Sequence, residues 1–312
     1  MERLWGTHLA NDFSAGLLEQ RRSIDEALGM WLGRISANAP RALAEAMGYS
    51  LLAPGKRLRP LLAMLACEAA GGTCEQSLPA GCAIEMVHAY SLIHDDLPAM
   101  DDDDLRRGLP TCHKKYGEAL AILAGDALLT GAFQVLAEGY PPRTAAVSIL
   151  ELARGAGTEG MVAGQVLDLA AEGKVPNTEP PRSVSDLQSI HSRKTGALFL
   201  ASLRLGQIAA QGEHGIDPVI RESIDCFGRA FGLAFQIADD LLDVQGSSDR
   251  TGKRVGKDAA RGKLTFPGLI GIDESRRRVR ELHAEAAAAL RNIGPSAQGL
   301  AELAGMVAER DR

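Results

Sequence analysis

Two stretches of this chain, LLAMLACEAA at residues 61–70 and AILAGDALLTGAFQVLAEG at residues 121–139, are rich in alanine and leucine and poor in β-branched residues. Alanine and leucine lose little side-chain freedom in a helix, whereas strands favour the branched and aromatic side chains these runs lack. A third stretch, RVRELHAEAAAALRNIG, has helical periodicity and stops at Gly294-Pro295. Aromatic residues make up only 4% of the chain, and no Val/Ile-rich alternation marks a sheet. The expected fold is all-α, with about ten or more helices in a single domain over residues 1–312. Loops are expected at Gly139–Arg143, Glu172–Ser183 and Gln245–Lys263, where Gly, Pro and Ser gather. The last of these is long and basic, which suits a lid over an anionic ligand better than an inert connector.

Composition narrows the function. A net charge of −6 argues against a nucleic-acid surface, so any anion must be held by local basic clusters. The five cysteines, Cys67, Cys74, Cys82, Cys112 and Cys226, form no C-x-x-C pair. Zinc is therefore not expected, and a reduced, cytoplasmic chain is. The opening MERLWGTHLA lacks the apolar core of a signal peptide, and no uninterrupted apolar run of about eighteen residues predicts a membrane span.

The segment HDDLPAMDDDDLRRG, His94 to Gly108, carries six aspartates and two arginines. A second acidic group, Asp239, Asp240 and Asp243 in FQIADDLLDVQG, lies inside apolar sequence, with Asp239 and Asp243 on one helical face. Carboxylates crowded in a cleft repel strongly unless cations neutralise them. Hard divalent cations such as Mg²⁺ prefer carboxylate oxygen and share substrate phosphates. Two acidic clusters in one chain thus point to several Mg²⁺ ions clamping a diphosphate, with Mn²⁺ as a substitute. In the first cluster, Asp95, Asp96 and Asp101 are the predicted ligands, and Asp103 and Asp104 are read as supporting the fold. An ideal helix would not align Asp95 with Asp101, but Pro98 lies between them. A local bulge there is expected to swing the later aspartates back toward the earlier ones.

Basic residues gather in four places: Lys56, Arg57 and Arg59 in GKRLRP; Arg106 and Arg107 in DLRRG; Lys194, beside Thr195, in HSRKTGALF; and Lys253, Lys257 and Lys263 in the basic loop. Arginine's fork suits diphosphate oxygens and lysine acts as a point charge. No G-x-x-x-x-G-K-[ST] and no G-x-G-x-x-G occurs, which disfavours P-loop phosphoryl transfer.

Taken together, DDLPAMD, GQVLDL, KTGALF, FQIADD and DDLLD resemble the short-chain trans-isoprenyl diphosphate synthases over nearly the whole chain. The four-residue spacer in DDLPAMD is similar to that of bacterial farnesyl diphosphate synthases and of plant-type geranylgeranyl synthases. The resemblance implies the isoprenoid synthase fold around a central cavity, a homodimer and three Mg²⁺ ions. It implies that Asp95, Asp96 and Asp101 bind one metal pair and Asp239 the third ion. It places Arg106, Lys194, Thr195, Gln236 and Lys253 at the allylic diphosphate, and Lys56, Arg59, His88 and Arg107 at isopentenyl diphosphate. Pro54 departs from the family, which usually has a second glycine before the lysine. His94, Asp126, Gln165 and Asp168 are read as packing, capping or supporting residues.

The implied reaction is metal-assisted ionisation of an allylic diphosphate, attack by the C3=C4 double bond of isopentenyl diphosphate, and loss of a proton to the departed diphosphate. Lys194, Thr195 and Gln236 would stabilise the cation and the leaving group. Tyr90 and Ser91, five and four residues before Asp95, line the growing chain; in the family a bulky aromatic at the first position goes with a fifteen-carbon product. Farnesyl diphosphate is therefore the expected product and geranylgeranyl diphosphate the runner-up. A terpene cyclase is disfavoured by the all-aspartate second motif and by Lys56 and Arg59. A non-catalytic synthase subunit is disfavoured because both aspartate motifs are intact.

Overall fold

The computed structural model describes residues 11–245 and 264–308. Lys253, Lys257 and Lys263, with the rest of the expected lid beyond Gln245, lie outside the described residues. The chain gathers into two units. One is Met1–Leu152 with Leu205–Ile216, and the other is Ala153–Arg204 with Asp217–Arg312.

The first unit contains α1 (Asn11–Ile35), α2 (Arg41–Leu51), α3 (Leu58–Ala69), α4 (Cys74–Asp95), α5 (Cys112–Tyr116) and α6 (Glu118–Gly139). Most of α7 (Pro142–Ala156) and the end of α10 (Ala197–Gln211) belong to it as well. Helix α4 packs against α1, α2, α3 and α6, which explains why apolar residues surround it rather than forming one stripe. Ile84, Met86 and Val87 are fully buried. Its start is fixed by a capping box in which the Thr73 backbone N–H donates to Gln76 Oε1 at 2.8 Å.

Pro79 lies inside this helix. Next to it, the Tyr140 hydroxyl enters the ladder: it donates to the Gln76 carbonyl at 2.8 Å and accepts from the Ala80 N–H at 3.1 Å. Tyr140→Phe should leave two backbone groups without this bridge and lower stability by about 1–3 kcal/mol. Urea unfolding checks this; an unchanged midpoint would mean that water replaces the hydroxyl at no cost.

Helix α6 is long and apolar enough to cross a membrane, although Asp126 interrupts it. It packs as a core helix through Ala121, Ala124, Leu128, Ala132 and Val135. Gly125 lets it approach α4, since a Cβ there would run into the His94 imidazole.

Sequence periodicity gave no sign of one small element, the hairpin of β1 (Leu105–Arg106) and β2 (Leu109–Pro110). Its turn residues, Arg107 and Gly108, both have positive φ (54° and 79°), the sign a type I′ turn requires.

The second unit contains the end of α7, α8 (Met161–Ala171), α9 (Val184–His191), a π turn (Ser192–Gly196) and the start of α10. It continues with α11 (Pro218–Gln245), α12 (Phe266–Ile270), α13 (Ile272–Leu290) and α14 (Gln298–Ala308). Glu172–Ser183 is a loop, as expected. Helix α11 packs along α13, and its Phe227 and Phe231 form a buried aromatic cluster with Phe199 of α10.

Candidate active site

In the first unit, α4 ends at Asp95 and the chain folds back on itself. The Asp101 N–H donates to the Asp95 carbonyl at 2.8 Å, and the Asp102 N–H donates to Leu97 at 3.1 Å. Asp102 takes the left-handed conformation (φ 49°) that closes this turn. The expected return of the later aspartates is therefore present, as a loop beyond the helix end rather than a bulge within it.

The six aspartates do not share one environment. Asp96 is buried, and Arg106 grips it through Nε (3.0 and 2.9 Å) and Nη2 (2.6 Å). Burial pushes the Asp96 carboxyl up, against the pull of Arg106. The bidentate geometry still requires a carboxylate. Asp104 is exposed and pairs with Lys114 at 2.7 Å. Asp95, Asp101 and Asp103 are half-buried. The repulsion in the run is thus lowered by Arg106 and Lys114 before any metal binds.

The basic side of this unit surrounds His88. Burial first, and then the charges of Arg59, Arg107, Arg106 and Arg57, hold its pKa well below the usual 6.5. Burial also lowers Arg59, to about 10, with Glu85 opposing and Arg107 adding to the effect. Arg107 Nη1 donates to the Pro54 carbonyl at 2.7 Å, tying the hairpin turn to the 53–57 loop. His88 is therefore held in its neutral form near pH 7, and the charge around it is carried by the arginines.

This shift has a pH signature. Below about pH 6.5 the unfolded chain takes up a proton at residue 88 that the folded chain refuses, so stability falls as pH drops through that value. His88→Gln should remove this contribution. Comparing urea midpoints at about pH 8 and about pH 5 tests it; an equal loss in both proteins would assign the acid sensitivity elsewhere.

Tyr90 is buried on α4, and its ring meets His94 edge-on with centroids 5.7 Å apart. His94 is held in turn by the Ile122 carbonyl at 3.1 Å and lies 3.9 Å from Asp126. The Ser91 hydroxyl turns back to donate to the His88 carbonyl at 2.8 Å.

In the second unit, the π turn brings Lys194 and Thr195 to their partners. Lys194 Nζ donates to Asp168 at 2.6 Å, and Thr195 Oγ1 donates to Gln236 Oε1 at 2.8 Å. Gly164 explains why GQVLDL sits here: a Cβ at 164 would collide with the Lys194 backbone. The bare backbone lets α8 touch the π turn, and Asp168, one turn further on, reaches Lys194. Asp168 is therefore a support for Lys194, as expected. π turns of this kind recur at functional sites.

The second aspartate motif also divides. Asp239 is exposed on α11 and Asp243 is half-buried. Asp240 is buried; its Oδ2 accepts from the Phe266 N–H at 2.9 Å and lies 3.5 Å from His191 Nε2. His191 stacks on Phe266 with centroids 5.7 Å apart. Asp96 and Asp240, both predicted as metal ligands, are thus engaged by protein partners. Among the described residues, no group of three or more His, Cys, Asp or Glu side chains is arranged to hold a metal ion. Asp95, Asp101 and Asp239 supply hard oxygen donors at the surface of each unit, which fits an oxygen-seeking divalent cation.

A fold built almost wholly of helices, with two aspartate motifs and clusters of arginine and lysine, defines a prenyl diphosphate synthase class of protein. The sequence profile of the polyprenyl synthetase family matches residues 40–294, and the chain belongs to that family as a prenyltransferase. It is 44% identical to the farnesyl diphosphate synthase of Geobacillus stearothermophilus over 95% of this chain and 97% of that one. It is 43% identical to the chloroplastic geranylgeranyl pyrophosphate synthase of Capsicum annuum over 96% of this chain and 79% of that one. Among solved structures, an FPP/GFPP synthase from Zymomonas mobilis superposes with a TM-score of 0.82 at 37% identity, covering 95% of this chain and 98% of that one.

Proposed function

We propose that this protein is a farnesyl diphosphate synthase, extending dimethylallyl and then geranyl diphosphate with isopentenyl diphosphate. The observation that carries the fifteen-carbon reading is Tyr90, buried five residues before Asp95 and braced by His94. Geranylgeranyl diphosphate is the second reading, favoured by the plant relatives at nearly equal identity. Asp95, Asp101 and Asp239 would hold Mg²⁺, three ions in all. When bound, the ions stabilise charge on the leaving diphosphate.

The chain's own residues do the rest. Lys194, fixed by Asp168, and Thr195 with Gln236 bind the allylic diphosphate and place oxygen dipoles near the developing cation. Lys56, Arg59 and Arg107, with neutral His88, hold isopentenyl diphosphate. The allylic C1–O bond breaks, and a bond forms from C4 of isopentenyl diphosphate to that C1. A proton leaves C2 for the departed diphosphate, so no side-chain base is required.

The protein acts as a cytoplasmic homodimer and a single polyprenyl synthetase domain in this reading. Ile122 and Leu123 on α6 are exposed apolar side chains that a second copy would cover. Chromatography of products made with labelled isopentenyl diphosphate tests the proposal. Mostly fifteen-carbon product supports it, and mostly twenty-carbon product replaces it with the second reading. Diphosphate release from a longer prenyl diphosphate alone would indicate a cyclase, and no release under any condition a non-catalytic subunit.

A further inference from the structure

We propose that Arg57, buried between Lys56 and Arg59, is a positioning residue that locks the 53–59 turn in the shape that grips the isopentenyl diphosphate anion. The inference rests on the site division given above.

Arg57 differs from its basic neighbours. It is 5% exposed, while Lys56 and Arg59 are half-buried. Its guanidinium points inward and makes three bonds on three different elements. Nε donates to Asp25 Oδ1 on α1 at 2.8 Å, and Nη1 donates to Glu85 Oε1 on α4 at 2.8 Å. Nη2 donates to the Ala53 carbonyl, in the same turn, at 3.0 Å. Burial works against the guanidinium charge, but Glu85 and Asp25 more than offset it.

The backbone at Arg57 is as constrained as the side chain. Its φ of 51° and ψ of 34° are left-handed, a conformation that non-glycine residues seldom adopt. Such a conformation persists when surrounding contacts over-determine it. The three guanidinium bonds do this, and the Arg57 carbonyl accepts the Leu61 N–H at 3.0 Å to start α3. Lys56 thus leaves the turn immediately before a fixed point, and Arg59 leaves from the first turn of the helix immediately after it.

The same bonds control a carboxylate. Glu85 is buried one helical turn before His88 and acts through charge on Arg59 and Arg107 as well as Arg57. While Arg57 holds Glu85 at 2.8 Å, that carboxylate is kept in place beneath the anion site. Without Arg57, its remaining cationic neighbours are residues assigned to the diphosphate, and it would be drawn to them.

The test separates binding of the two substrates. Arg57→Lys keeps the charge but cannot reach two carboxylates and a carbonyl together. It should raise the Michaelis constant for isopentenyl diphosphate about tenfold, with that for geranyl diphosphate and kcat changed less than about twofold. Glu85→Gln, which keeps the volume, should shift the same constant, and it decides the matter if Arg57→Lys fails to fold. Lys56→Ala serves as the control on the site itself. A rise for isopentenyl diphosphate in Lys56→Ala but not in the other two overturns the positioning role. Equal rises for both substrates, with a lowered melting temperature, would make Arg57 a general structural residue and also overturn it. No rise in Lys56→Ala would remove the site division, and the inference with it.

Discussion

Asp95→Ala is expected to cut turnover by roughly a thousandfold at saturating magnesium and substrates, while the protein melts no lower than the wild type. The two halves of this result have separate causes. Asp95 is the last residue of α4, where the helix dipole disfavours a negative charge. It is also only half-buried and sits beside Asp96 and Asp101. Removing it relieves repulsion from its acidic neighbours, offset in part by the loss of its attraction to Arg106, and opens no core cavity. The role proposed for a carboxylate kept at such a place is to hold a cation that neutralises it during catalysis. Asp239→Ala should behave likewise, because Asp239 is exposed on α11. Asp96→Ala should differ in kind: it strands Arg106 without its bidentate partner, so stability and activity should fall together. Steady-state rates paired with thermal melts decide this. Near-normal turnover in Asp95→Ala or Asp239→Ala would remove that residue from the metal chemistry.

Asp96 and Asp240 mark where the sequence stopped being informative. Motif spacing puts all the aspartates of a cluster on equal terms, because it counts carboxylates and not their partners. Arg106 reaches Asp96 only because a two-residue hairpin turns the chain at Arg107–Gly108, and an arginine in a left-handed turn position is a weak turn signal. Asp240 is engaged by a backbone N–H at Phe266, and no pattern of side chains announces a backbone donor. The fold-back from Asp95 to Asp101 was legible, since Pro98 and the six-residue spacing both oppose a continuous helix. The helices themselves were legible from alanine and leucine, which favour one backbone shape whatever they pack against. Asp25 and Glu85 were not. Each lies in ordinary helical sequence, and only the packing of α1 and α4 around the Arg57 turn brings them together. Lys194 and Asp168 fall between these cases: both motifs were visible, but their contact depends on the bare backbone of Gly164.

Tyr90→Ala is expected to move the main product from fifteen carbons to twenty or more. A rise of about 1.5 Å per residue places Tyr90 some 7 Å along α4 from Asp95, on the path proposed for the growing prenyl chain. In the proposed fifteen-carbon reading the ring is the stop. It is buried, and it meets the His94 ring edge-on. His94 in turn is fixed by the Ile122 carbonyl and fills the space that Gly125 leaves open. Burial raises the phenol to about 12, so the side chain is neutral at any working pH and presents no charge to the hydrocarbon. Truncation to alanine removes the aromatic volume but leaves His94 held by α6, so the neighbouring wall should not collapse to refill the gap. A cost of about 3 kcal/mol in stability is expected from the cavity. Tyr90→Phe keeps the ring and should keep the fifteen-carbon product, which separates volume from the hydroxyl. Product chain lengths resolved by reversed-phase chromatography give the answer. An unchanged distribution in Tyr90→Ala would place the stop elsewhere, with Leu128 to Phe133 on α6 the next residues to truncate.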